Sequence, residues 1–549
     1  MSFIFKKIFF ALSRTERVIF MIALILALGS SVSLGAVLVN QKTVVVPARG
    51  GNYTEGIVGQ PSHINPVTAS NDADRSIVKL VFSNLVDLSD KIVSINDNRD
   101  WDIRLKENIR WSDGEKLTSD DVIFTVQKIQ DTDSGSPLYS SWQGVAIKRV
   151  SELELQISLG SPYAFFPQNL KKLYIIPKHL FAETPVSNWR LSKYNLQPVG
   201  SGPYVFDSYE IRDDGFIKSY NLKTNNFYFA SRPLITEFDL RFYSNQDDMI
   251  SAFNSSQIDG FAVESGRIED IKRSYEAHVF FLPSYYAVFF NQGQNLALQD
   301  KKVRQGLSAA VDRDNFVSEV LNGNGEVRFG PFSSSILQDE ESQNNIQGKN
   351  AAEKIFNDGG WIFTGSSTVR QKTIKGVKVA LEFNLSVPQI PFLQKTAEKL
   401  QSYWADVGAK MNIISISPEE ITSDTIKNRN YQAVLFGNML NPPADLFSFW
   451  HSSQRFYPGL NLSLYNSKQA DNLITDINTD IDDSGRTSKI KDLQNLIAED
   501  YPAVFLYSPY YVYFSRKDLQ GVDTGLIDES SGRFANVHDW YLKTARSFK

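Results

Sequence analysis

Most of the chain alternates apolar and polar positions, but two stretches do not. Residues 279–291, VFFLPSYYAVFFN, and 503–515, AVFLYSPYYVYFS, run without a charge and share the same order of apolar, proline and paired-tyrosine positions. Short aromatic and β-branched runs that are apolar on both pleat faces predict strands covered on two sides. The roughly two hundred residues between them suffice for a complete domain. If the two strands lie side by side, the chain leaves one lobe through the first and returns through the second. A cleft between such lobes is a usual place for a ligand. The plainer alternative is two core strands with no hinge role.

Periodic segments fill in the rest. Residues 52–58 predict a strand, 59–71 a turn-rich loop, and Asn71 or Asp72 caps a helix whose apolar face carries Ile77, Leu80, Val81 and Leu85. Trp101, Ile103 and Leu105 alternate as a strand, then Ile109 and Trp111, before a turn at 112–114. Thr118 and Asp121 form a capping box ahead of Val122, Val126 and Ile129. Further on, Leu393, Ala397, Leu400 and Trp404 mark a helix over 391–406 that stops at Gly408, with strands at 410–417 and, after one more helix, at 431–437.

The N-terminus has its own pattern. Residues 18–40 carry no charge and are apolar over 18–28 and 32–39, long enough to cross a bilayer as a helix. Lys6, Lys7, Arg14 and Arg17 precede the run, while only Lys42 and Arg49 follow closely, which puts residues 1–17 in the cytoplasm and the body outside. A cleaved signal peptide, with Ser33 and Gly35 as small residues before a cut, is the competing reading; the long apolar run favours a retained anchor. Residues 41–51, with Pro47 and the Gly50-Gly51 pair, then read as a tether.

Composition narrows the function. With 549 residues, 42% hydrophobic and 22% charged, the chain is globular and long enough for two or three domains. A net charge of −5, dispersed without long runs, argues against a nucleic-acid partner. The absence of cysteine excludes disulfides, thiolate metal sites and a lipid-modified cysteine. The five histidines, His63, His179, His278, His451 and His538, are scattered outside any HExxH pattern, so no metal and no cofactor are expected. No GxSxG elbow or phosphate loop appears, and no two carboxylates stand out as a glycosidase pair; the expectation is a binding protein, not an enzyme.

The run WDIRLKENIRWSDGEKLTSDDVIFTVQKI at 101–129 resembles the signature of family 5 extracellular solute-binding proteins, the oligopeptide-, dipeptide- and nickel-binding components of ABC importers. PVGSGPYVF at 198–206, IDGFAV at 258–263, VFFNQ at 288–292, VRQGLSAAVDRDNF at 303–316 and FWHSSQ at 449–454 follow in the family's order, and the likeness runs from about Gly50 onward. The resemblance implies an α/β fold of the two-lobed periplasmic-binding-protein kind (type II, three-domain variant) with two crossing hinge strands, here behind one N-terminal transmembrane helix. Lobe I would comprise 52–81, 198–284 and 509–549, with a domain inserted at 82–197, and lobe II 285–508.

It also implies a function: a monomer on the extracytoplasmic side of the cell membrane, capturing a peptide or similar extended polar solute between its lobes for an ABC transporter permease. A receptor or chaperone uncoupled from transport, and a hydrolase, are the alternatives. Tyr285, Tyr286, Phe290 and Asn291 on the first crossing strand offer aromatic and polar contacts. Phe436, Asn438 and Asp445 flank the loop after strand 431–437, where open α/β sheets place ligands. Ser70, Asn71 and Asp72 match a stretch that borders the ligand in the family, and Trp142 is a further candidate. Peptide-binding members carry an aspartate for the ligand's α-ammonium group where matching on Asn441-Pro442 places Asn438; Asp445 is the substitute carboxylate.

Overall fold

The computed structural model describes residues 13–263, 270–337, 347–440, 442 and 445–548; the side chains at 32, 35–40 and 334–335 also lie outside the described set. After a helix over Arg14–Lys42 come β1 (Thr43–Ala48), β2 (Asn52–Val58), β3 (Ser89–Ile95), β4 (Asp100–Leu105), β5 (Ala146–Arg149) and β6 (Glu154–Ser158). Then follow β7 (Tyr204–Ile211), β8 (Ile217–Thr224), β9 (Glu237–Tyr243), β10 (Gly260–Val263), β11 (Glu276–Phe280) and β12 (Ser284–Phe290). The remainder are β13 (Gly325–Val327), β14 (Gln371–Ile374), β15 (Val377–Ala380), β16 (Glu382–Pro388), β17 (Lys410–Ile416), β18 (Ala433–Met439), β19 (Ala503–Pro509), β20 (Tyr511–Ser515) and β21 (Lys543–Phe548).

The described residues form a seven-stranded sheet in the order β11-β20-β10-β2-β9-β8-β7 and a six-stranded sheet in the order β13-β19-β12-β18-β16-β17. Strands β3-β4-β6-β5 make a separate four-stranded sheet, and β14-β15 a hairpin. Each of the uncharged stretches reads in sequence as a single strand, and each instead divides between the two large sheets. The first breaks at Phe281-Leu282-Pro283, between β11 and β12; the second at Tyr510, between β19 and β20. Pro283 and Pro509 lie at the breaks, where a residue without an N–H cannot continue a ladder. The two stretches are side by side on both sides of the break: β11 pairs antiparallel with β20 and β12 with β19. Phe281 and Tyr510 meet edge to face at the crossing, ring centroids 5.2 Å apart.

Period-two burial explains why these strands are apolar on both faces. Val288 and Phe290 face one core of the six-stranded sheet, with Phe383, Leu400 and Trp404, while Tyr285, Ala287 and Phe289 face the other, with Trp450, Ile474 and Leu493. The helix Pro391–Asp406 buries Leu393, Ala397, Leu400 and Trp404, and Gly408 at φ +83° turns the chain into β17.

Near the start, Asn71 caps the helix Asp72–Val81 by accepting the N–H of Asp74, and Thr118 with Asp121 makes the capping box of the helix Ser119–Gln130. Leu85 lies past the first helix, in a separate turn over Leu85–Leu88. Ile109 and Trp111 are buried but outside β4, and the strand expected at 431–437 runs two residues later, as β18.

The expected tether at 41–51 holds β1, paired antiparallel with the C-terminal strand β21 from Thr43↔Phe548 to Ala48↔Lys543. The apolar N-terminal run lies in the helix Arg14–Lys42, whose Val18, Ile19, Ile25, Leu26 and Leu28 are more than half exposed. Among the described residues no helix is long and apolar enough to cross a membrane; the expected anchor at 18–40 rests partly on side chains outside that set.

Candidate functional site

The register of β12 against β18 sets Tyr285 opposite Asn438 and Tyr286 opposite Gly437. Tyr285 is fully buried, and its hydroxyl accepts hydrogen bonds from Asn438 Nδ2 at 2.8 Å and Trp450 Nε1 at 2.9 Å. Burial pushes its phenol pKa upward, so the group stays neutral. Tyr286 points to the other face, packing against Phe392 and Tyr507. It lines a cavity of about 100 Å³ with Ser284, Gly437 and Asn438 beside the strand crossing. A Cβ on Gly437 would lie 2.6 Å from the Tyr286 ring, so glycine here lets the ring lie flat on the backbone.

Phe290 and Asn291, at the far end of β12, are buried. Phe290 sits edge-on to Phe383, and Asn291 donates to the Arg429 carbonyl. Phe436 is half-buried against the core that holds Tyr285. Trp142 is 1% exposed, packed on Phe166 within the core of the first lobe. Asn438 Nδ2 is taken up by the Tyr285 hydroxyl, while Asn438 also lines the cavity beside Tyr286.

Asp445 has three donors around it: the Tyr163 hydroxyl at 2.8 Å, the Phe447 N–H at 2.8 Å and Asn478 Nδ2 at 3.1 Å. Asn441, used above to place Asn438 in the loop, lies outside the described residues. Tyr163 comes from the loop after β6, in the segment inserted before β7. The next residues reinforce the contact: the Ala164 N–H donates to the Asn478 carbonyl at 2.7 Å, and Phe165 enters the core behind Tyr285, beneath the Arg486 guanidinium. Sequence reading missed Tyr163 and Phe165. The signal was an uncharged aromatic run, SPYAFF at 161–166, in a loop position.

Ser70, Asn71 and Asp72 lie together at the start of the helix Asp72–Val81. Asn71 Nδ2 donates to buried Asp74, which also receives the N–H groups of Ser62 and His63. Burial raises the Asp74 pKa against these donors. Arg75 donates to the Ser70 carbonyl and to Asp72, and its Nε lies 3.2 Å from Glu529. The segment carrying Glu529 is held to the crossing: the Phe281 N–H donates to the Gly525 carbonyl, and the Ile527 N–H to the Phe281 carbonyl. Among the described residues no three His, Asp or Glu side chains converge as metal ligands.

Two α/β bodies joined by paired crossing strands, with a loop of one docked on the other, define a two-lobed binding protein. The family model for bacterial extracellular solute-binding proteins, family 5 Middle, matches residues 87–457, and the chain belongs to that family. The oligopeptide-binding protein AppA of Bacillus subtilis is 25% identical over 513 residues, covering 88% of this chain and 93% of the relative. The structure of AppA from Bacillus subtilis in complex with a nonapeptide superposes with a TM-score of 0.70 at 24% identity, covering 91% of this chain and 100% of the other. The substrate-binding protein CtaP from Listeria monocytogenes gives 0.77 at 23% identity, with 90% and 99% covered. NikA from Brucella suis, in complex with Fe(III)-EDTA, gives 0.75 at 16% identity, with 90% and 100% covered. These structural likenesses establish the two-lobed α/β fold.

Proposed function

We propose that this chain is a membrane-anchored extracytoplasmic binding protein that captures a peptide or similar extended polar solute between its lobes and delivers it to an ABC transporter permease. The observation that carries the reading is the paired crossing, β11–β12 beside β19–β20, which leaves Phe281–Pro283 and Tyr510 as the hinge between two sheets. Lobe I is then 52–81, 198–284 and 509–549 with the insertion 82–197, and lobe II is 285–508.

Peptide capture is supported by the relative AppA, and the share of both chains covered supports the same division of labour. The protein acts by binding, with no chemical step. Among the expected ligand contacts, Tyr286, Phe436, Asp445 and the Ser70–Asp72 loop keep accessible surface. Anchoring is supported by the uncharged run at 18–40 and its basic N-terminal flank. Native mass spectrometry of the full chain in detergent tests the function: a retained peptide or polar solute is expected. Release of a cleaved product from a bound peptide would instead point to a hydrolase.

A further inference from the structure

The ribbon of β1 and β21 stands apart from both large sheets as a two-stranded sheet of its own. β1 begins at Thr43, where the helix Arg14–Lys42 has just ended, so no loop separates the two. The register places Phe548 opposite Thr43 and Arg546 opposite Val45, and residues directly opposite share a face. One face of the ribbon therefore carries Val45, Arg546 and Phe548 beside the buried Thr43, whose hydroxyl accepts from Arg546 Nη1 at 3.2 Å. Val45 is 61% and Phe548 80% exposed, and Val44 on the opposite face is 42% exposed. A strand that is apolar on both faces belongs under a cover on each side, and among the described residues no other strand or hydrophobic core supplies one. The charge is equally one-sided. Residues 42–51 and 541–549 hold Lys42, Arg49, Lys543, Arg546 and Lys549 and no acid, in a chain whose net charge is −5. Arg49 is engaged with the Thr224 hydroxyl, while Lys42, Lys543 and Arg546 are exposed along the ribbon and at its foot.

Exposed apolar side chains set among cations, with no acid beside them in sequence, match a phospholipid surface: the apolar groups enter the boundary of the acyl chains and the cations meet lipid phosphates. We propose that the β1–β21 ribbon is a lipid-binding element, with Phe548 and Val45 entering the outer face of the bilayer and Lys42, Lys543 and Arg546 on its phosphates. The inference rests on the anchored reading of residues 18–40 and adds a second, separate contact to it. Distance supports the placement. The headgroup layer is about 5–8 Å deep on each side of the hydrocarbon, and a strand rises about 3.4 Å per residue. With the helix leaving the bilayer at Lys42, the Thr43↔Phe548 pair lies in that layer even when the ribbon stands upright, and tilting brings in Val45. An acidic protein surface would satisfy the cations but leave Phe548 and Val45 in water. A second copy pairing along the open ribbon edge would set like charges side by side. Two contacts fix the tilt of the body over the membrane, whereas a helix followed by a free tether would let it swing.

The chain has no cysteine, so single substitutions give unique labelling sites in the full-length protein. Ser547→Cys beside Phe548, Leu28→Cys within the apolar run and Leu191→Cys at an 89% exposed position of the body each carry an environment-sensitive dye. The protein is reconstituted in phosphatidylcholine vesicles with and without phosphatidylglycerol, and quenching by a nitroxide on the lipid is compared with quenching by aqueous iodide. Lipid quenching is expected at positions 547 and 28, stronger at 547 with phosphatidylglycerol, and iodide quenching at 191. Adding Phe548→Ser, or Lys543→Gln with Arg546→Gln, should cut lipid quenching at 547 by about twofold or more and leave position 28 unchanged. An unfolding midpoint equal to that of wild type shows the body intact. Iodide quenching at 547 with lipid quenching at 28 overturns the inference and leaves the anchor standing; iodide quenching at both overturns the two together. Lipid quenching at 547 that survives every substitution means that proximity to the helix alone brings the site to the bilayer, and the ribbon contact falls. A signal at 547 that changes with the protein-to-lipid ratio places a second copy on the ribbon instead.

Discussion

Tyr163 and Asp445, 282 residues apart in sequence, share a hydrogen bond of 2.8 Å that ties the inserted segment to the loop after β18. Burial and the nearby Asp445 carboxylate push the Tyr163 phenol pKa upward, which keeps the hydroxyl protonated and donating. With Phe165 buried beside it, this is a latch between the two bodies in the described state.

Tyr163→Phe should therefore loosen closure without unfolding either lobe. Asp445 keeps Asn478 and the Phe447 N–H, so the loss is one hydrogen bond to a charged acceptor, about 1.5–3 kcal/mol, or about tenfold or more in the closed-to-open ratio. Small-angle scattering of the unliganded variant should show a larger radius of gyration than wild type. An unchanged radius with unchanged solute affinity would mean the contact does not hold the lobes together.

Asn438→Asp tests the β18 loop from the other side. Asn438 is 4% exposed and its amide donates to the Tyr285 hydroxyl, so a new carboxylate there would be buried and would lose that donor. Destabilisation of about 1–3 kcal/mol at neutral pH is expected. Burial raises the pKa of such a group above its unfolded value, so the native state holds the proton more tightly and the deficit should shrink as pH falls. Urea midpoints at pH 7 and pH 5 check this; a deficit that grows with acid would exclude the mechanism.

Asp300 gives the opposite sign. Its partial burial favours the neutral form, but bonds from Lys372 Nζ at 2.7 Å, Trp361 Nε1 at 3.0 Å and the Lys302 N–H at 2.9 Å outweigh this and depress its pKa. A depressed folded pKa contributes stability above the unfolded value, about 3.9, that is lost as pH falls through the folded one. Asp300→Asn should cost about 1–2 kcal/mol at pH 7 and less at pH 3. Denaturation series at the two pH values should converge for variant and wild type; parallel curves would count against the assignment.

How much of this was legible in the sequence depends on how far apart the partners lie. The crossing segments were readable because a strand buried on both faces has no polar alternation, and Asn71, Thr118 and Asp121 announced their helices because capping is local. The breaks at Pro283 and Pro509 were written in the prolines but hidden by the continuous apolar run around them. Tyr163 with Asp445 carries no local pattern, since that pair is assembled by tertiary structure alone. The pairing of β21 with β1 was invisible for another reason: every residue of β21 is exposed, so no hydrophobic period marks it.

The N-terminal helix makes a prediction of its own. If 18–40 is retained in the bilayer, the mature protein should stay with membranes through carbonate extraction, and external protease should free the body. A soluble mature chain starting near Ala36 would show that the segment is a signal peptide.

The β1–β21 ribbon bears on the same region. β1 follows the helix Arg14–Lys42 directly, and six register pairs from Thr43↔Phe548 to Ala48↔Lys543 hold it against β21. The link between helix and body is thus a paired ribbon, with Arg546 Nη1 also reaching the Thr43 hydroxyl at 3.2 Å. An isolated two-stranded ribbon is marginally stable, so its opening costs little and should not be felt in the lobes. Removing residues 543–549 should leave the unfolding midpoint of the body unchanged while speeding tryptic cleavage at Lys42. The comparison is made on membranes, with full-length and truncated protein digested side by side. Equal cleavage rates would mean the ribbon does not protect the link, and a lowered midpoint would mean β21 contributes to the lobe itself.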